Sequence, residues 1–150
     1  MAGIELHSSA FNDHDLMPDR YSRPDGNVSP PLEWSAVPED TAELILLCED
    51  PDAGRQPFLH WLVTGIDPNT RSVAEGDQIA DARQWRNGFG FAGWGGPQPP
   101  VGDDPHRYFF HLYALAEPLT LGEQPTADDV RRAAEPRKLA SGTTVGLFAR

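Results

Sequence analysis

Three stretches of this chain are apolar at nearly every position, and the segments between them are cut up by glycine, proline and acidic residues. Residues 43–49 read as a strand apolar on both faces, closed by the turn Asp50-Pro51-Asp52-Ala53-Gly54. Phe58 to Ile66 forms a second such strand, ended by Asp67-Pro68-Asn69, and period-two alternation puts His60 on one face with Phe58 and Leu62. His106 to Leu115 forms the third. Alternation gives His106, Tyr108, Phe110 and Leu112 one face, and Arg107, Phe109, His111 and Tyr113 the other. Large apolar groups on both faces predict strands covered on both sides.

The remaining pattern is weaker. Ile4 and Leu6 start a short strand, Phe11 and Met17 anchor irregular backbone, and Pro30-Pro31 holds an extended piece with Leu32 and Trp34 on one face. Residues 67–98 show little periodicity, yet Trp85, Phe89 and Phe91 within them predict an ordered wrap. Thr126-Ala127-Asp128-Asp129 resembles a capping box with Asp in the last place. It opens the one convincing helix, roughly 127–135, with Val130, Ala133 and Ala134 inward and Pro136 as its stop. Thr143 to Ala149 gives a last strand. The sum is a single mainly β domain over 1–150, an antiparallel β-sandwich with one or two short helices.

Charge narrows the partners. Twelve basic residues against 23 acidic ones leave a formal net charge of -11, and Lys138 is the only lysine. Scattered acids make nucleic acid and anionic membranes poor partners. No apolar run is long enough to span a membrane, and the opening residues lack the basic and apolar regions of a signal peptide, so a cytoplasmic protein is expected. The single cysteine, Cys48, lies within a strand and reads as a buried small hydrophobe.

Candidate chemistry gathers where strands meet breaker-rich loops. Asp50, Asp52, His60, His106 and Tyr108 each stand at the edge of an apolar strand. Residues 93–105, with Gly93, Gly95, Gly96, Pro97, Pro99 and Pro100, form a stiff loop that feeds His106. A lone histidine on an apolar face is most often a satisfied core residue, which, taken singly, is the better reading for both His60 and His111. The cluster instead points to a small pocket for an anion, with imidazoles and freed backbone N–H groups as donors and the acids orienting the imidazoles. Metal binding has less support, because His106 and His111 face opposite ways and no local ligand spacing occurs. A nucleophilic hydrolase lacks the Gly-x-Ser-x-Gly elbow. The enzymatic alternative is a hydrolase or transferase using His60 or His106 as general base with Asp50 as orienter.

Asn27-Val28-Ser29-Pro30-Pro31-Leu32-Glu33-Trp34, Asp50-Pro51-Asp52-Ala53, Phe58 to Trp61, and Gly96-Pro97-Gln98-Pro99-Pro100 leading to His106-Arg107-Tyr108 together resemble the phosphatidylethanolamine-binding protein family, in its bacterial and archaeal Raf kinase inhibitor-like branch. The resemblance covers nearly the whole chain. It implies a β-sandwich with a small anion pocket that takes a phosphate- or carboxylate-bearing ligand without cofactor, metal or catalytic residue. It also implies a homodimer and a role in modulating a kinase or protease. By the same resemblance Asp50, Asp52, His60, Pro99, Pro100, His106 and Tyr108 line the pocket. Three positions depart from the pattern: Gln98 stands where many prokaryotic members have cysteine, and Trp94 and Phe148 stand where tyrosine is usual.

Overall fold

Strand β4, Glu43–Asp50, is buried at all eight positions, and the rest of the molecule is layered around it. The computed structural model describes residues 3–150; residues 1 and 2, which begin the stretch read for a signal peptide, lie outside it. The other elements are β1 (Glu5–His7), β2 (Asp15–Leu16), β3 (Leu32–Ser35), β5 (Phe58–Ile66), β6 (Ser72–Val73), β7 (Arg83–Gln84), β8 (His106–Leu115), α1 (Ala127–Ala134) and β9 (Lys138–Phe148). They form a six-stranded sheet in the order β2-β9-β8-β4-β5-β7 and a three-stranded sheet β1-β3-β6. All pairings are antiparallel except that of β2 with β9, which is parallel.

Alternation along the central strands sends side chains to two separate cores. Leu44, Leu46 and Cys48 of β4 and Tyr108, Phe110, Leu112 and Ala114 of β8 meet Leu6, Leu32, Trp34 and Val73 of the small sheet. Ile45 and Leu47 of β4 and Tyr113 and Leu115 of β8 face the other way, onto Ala127, Val130 and Ala134 of the helix. The predicted faces of β8 thus hold, and the order of layers is small sheet, large sheet, helix. Burying a leucine or valine at such positions stabilises the fold by ~1.5–3 kcal/mol each.

The helix begins as its sequence predicts. Thr126 Oγ1 accepts the Asp129 N–H at 3.1 Å, and the Asp129 carboxylate accepts the Thr126 N–H at 2.9 Å. Its inward residues are Ala127, Val130 and Ala134, while Ala133 is only half-buried. Strand β9 starts at Lys138, five residues ahead of the expected Thr143. A 3-10 turn over Glu135–Arg137 carries the chain straight from the helix into pairing with Leu115. The small residues Ala140, Ser141 and Gly142 carry no apolar alternation that would mark this part of the strand.

Candidate functional site

The carboxyl end of β4, the start of β5 and the start of β8 come together with the 93–100 loop around a cavity of about 140 Å³. It is lined by Asp50, Ala53, Phe58, His60, Phe89, Gln98, Pro99, Pro100, His106 and Tyr108. A drug-sized ligand takes roughly 300 Å³ or more, so this space suits a single small group.

A β-bulge sets the position of His60. Cys48 pairs with Trp61 and Glu49 with Leu59, which leaves His60 as an extra residue on β5. Such a bulge breaks the alternation and re-aims a side chain. Leu59 and Leu62 therefore face the helix, Trp61 and Val63 face the small sheet, and His60 parts from Leu62. The expectation that His60 and Leu62 share a face is corrected here, because strict period two does not survive the bulge. The His60 ring instead meets Phe58 at 4.8 Å and Tyr108 edge-on at 5.1 Å between centroids.

The loop is clamped to this strand. Gly95 N–H donates to the His60 carbonyl at 3.0 Å, and His60 Nδ1–H donates to the Gly95 carbonyl at 2.5 Å. Asn27 holds the outer side, accepting from Gly96 N–H at 2.7 Å and donating to the Trp94 carbonyl at 3.0 Å. A side chain at Gly96 would overlap the Tyr21 carbonyl oxygen, so only glycine permits this approach of two backbones. Farther along, Arg150 Nε donates to the Pro99 carbonyl at 2.7 Å.

His106 stands between two carboxylates. Its Nδ1 lies 2.7 Å from Asp50 Oδ2 and its Nε2 3.1 Å from Asp103 Oδ2, while Asp50 Oδ1 accepts the Asp52 N–H at 2.7 Å. Burial works against a charged His106, but the hydrogen bonds to Asp50 and Asp103 outweigh it and raise its pKa above the ordinary value. Burial likewise raises Asp50, and His106 only partly offsets the rise. The pair thus holds its proton more readily than free side chains would. His60 goes the other way: burial drives it down to about 4, so it is neutral at physiological pH. Burial, followed by the charge of Asp50, pushes the Tyr108 phenol above its usual range.

Six of the seven sequence-selected residues line the cavity: Asp50, His60, Pro99, Pro100, His106 and Tyr108. Asp52 does not. Its carboxylate turns to Arg107, accepting from the backbone N–H at 2.9 Å, from Nε at 3.0 Å and from Nη2 at 2.8 Å. The three departures have different positions. Gln98 is in the wall and exposed, whereas Trp94 is buried behind His60 and stacked on Phe110 at 5.8 Å. Phe148 is buried opposite His106 on β9. Ala53, Phe58, Phe89, Asp103 and Arg150 were not selected from the sequence. Phe89 carried a signal in its aromatic-rich stretch and Asp103 lay within the loop itself, three residues before His106; Arg150 carried none, since only folding brings it to the loop.

Comparison with known proteins agrees with this fold. A family model described as phosphatidylethanolamine-binding protein matches residues 7–149. The UPF0098 protein of Methanothermobacter thermautotrophicus is 38% identical over 152 residues, covering 98% of this chain and 99% of that one. A crystal structure of a phosphatidylethanolamine-binding protein homologue from Chlamydia trachomatis superposes with a TM-score of 0.87 at 33% identity, covering 100% of this chain and 99% of that one. That of Escherichia coli YbcL, described as a member of the mammalian family, gives 0.90 at 27% identity, with 99% of each chain covered. No helix among the described residues is long and apolar enough to cross a membrane. The chain belongs to the phosphatidylethanolamine-binding protein family.

Proposed function

We propose that the cavity binds a small oxyanionic group, the phosphate or carboxylate end of a larger ligand, without turning it over. The observation that carries this reading is the meeting of His106, whose charged form its carboxylate partners favour, with the Tyr108 hydroxyl, which makes no hydrogen bond to any described residue. Both are donors at the wall of a space sized for one small group. Asp103 is about half exposed and free to turn outward, releasing Nε2–H of His106 to a ligand. His106 carries one positive charge against the two carboxylates of Asp50 and Asp103, so a singly charged group meets less repulsion here than a doubly charged one.

The hydrolase or transferase reading has less support. Among the lining residues there is no serine, threonine or cysteine side chain, and Cys48 is buried in the core with its thiol pushed up by burial. With a pKa of about 4, His60 is a weak base at neutral pH. Calorimetry with methyl phosphate tests the proposal. Wild type should bind, and Tyr108→Phe and His106→Gln should each lose about fivefold to a hundredfold, as expected when a charged or hydroxyl donor worth ~1–3 kcal/mol is removed. Unchanged affinity in both variants would refute the site. Turnover of a phosphate ester that disappears in His60→Gln would establish the enzymatic reading instead.

A further inference from the structure

The charge-bearing residues of the cavity are short of donors. Nδ1–H of His60 is committed to the Gly95 carbonyl at 2.5 Å, and a carbonyl can only accept. The neutral ring therefore has a bare Nε2, an acceptor with no partner among the described residues, on a side chain that lines the cavity. Asp50 adds two buried carboxylate oxygens, each with one donor already from Asp52 or His106 and a second lone pair to spare. Against these acceptors the cavity offers the Tyr108 hydroxyl and the Gln98 amide as open donors. A fully ionised oxyanion can satisfy the donors and none of the acceptors.

We infer that the cavity selects oxyanions that still carry an acidic proton, such as the monoanion of a phosphate monoester, and discriminates against equally charged groups with no O–H. The ligand's P–O–H would donate to His60 Nε2 or to Asp50, while its other oxygens accept from Tyr108 and Gln98, and from His106 Nε2–H once Asp103 turns outward. This inference rests on the oxyanion reading above and narrows it. Phosphodiesters carry no such proton and fall outside the selected class. Leaving buried acceptors unmatched is costly, and sites built on a hydrogen bond reject the analogue that lacks it.

Methyl phosphate and methyl sulfate provide the test. Near pH 5.5 both are singly charged and nearly the same in shape, and only the first has a proton to donate. Methyl phosphate should bind at least tenfold more tightly at pH 5.5. That preference should collapse by pH 8, where its second proton is gone, that ionisation lying near a pKa of ~6. Groups of the protein that face the site also respond to pH or fix its charge: Asp50, His60, Asp103, His106 and Tyr108, with the Asp52–Arg107 pair and Arg150 around them. Methyl sulfate measured over the same range reads their contribution alone, so the ratio of the two affinities isolates the ligand's proton. His60→Gln, which puts an N–H donor in place of the bare nitrogen, should raise methyl sulfate affinity. Equal affinity for both ligands at pH 5.5, or a constant ratio up to pH 8, would overturn the selection while leaving the oxyanion reading intact. Failure of both ligands to bind would overturn both.

Discussion

At the scale of single residues, the site depends on two histidines pushed in opposite directions. His106 is buried too, at 7% exposed, but its hydrogen bonds to two carboxylates outweigh burial, whereas His60, 3% exposed and donating only to a carbonyl, loses its charge to burial. The second shift has a consequence for stability. A pKa lowered from 6.5 to about 4 makes protonation easier in the unfolded chain, so the contribution is full above pH 6.5 and is lost as pH falls from there toward 4. The loss amounts to about 3 kcal/mol at ~1.4 kcal/mol per unit. In denaturant melts wild type should lose stability relative to His60→Phe as pH falls from 6.5 to 4; a constant difference between the two would show that folding does not shift the His60 pKa. The chemical identity of this residue was legible in the sequence, because a histidine within an apolar strand stands out. Its orientation was not, since a bulge is a property of pairing between β4 and β5 and leaves no mark in β5 alone. Asp52 was misleading for a related reason: it shares its turn with Asp50, but Arg107 lies across the strand gap to capture it.

At the scale of elements, the long apolar strands could be read directly because both faces of β4, β5 and β8 are covered and their composition says so. Two-residue strands such as β6 and β7 could not, as their positions are set by neighbours rather than by their own pattern. The clamped loop is the element the site most depends on. Gly96→Ala forces a methyl into the Tyr21 carbonyl and should destabilise the protein by about 1–3 kcal/mol, the usual cost of overpacking. A melting temperature within a degree of wild type would contradict the close approach. On the opposite face of the sheet, Glu49 is buried and accepts from Arg131 of the helix and lies 3.0 Å from His111 Nε2. Burial opposes its ionisation, yet these two partners win and hold its pKa below the ordinary carboxylate value. Arg131→Met removes the cation of that helix contact and should weaken the fold by about 1–2 kcal/mol. Loss of one partner from a buried pair is costly, but Arg131 is about one-third exposed and His111 remains.

At the scale of the molecule, a net charge of -11 on 150 residues produces self-repulsion that screening relieves. Melting temperature should rise steadily from dilute buffer to molar potassium chloride, and a flat response would show that the described ion pairs already balance the surface. The homodimer expected from the family resemblance is checked by sedimentation, which should report twice the 16.5 kDa chain mass. All these features converge on one cavity whose contents can be observed directly. The decisive measurement is the structure of a crystal soaked with methyl phosphate at pH 5.5. The account predicts density for the phosphoryl group in the cavity, with oxygens within hydrogen-bonding distance of Tyr108 Oη and of either His60 Nε2 or Asp50. A cavity without density under conditions where calorimetry detects binding, or a phosphoryl group bound elsewhere on the chain, would contradict it.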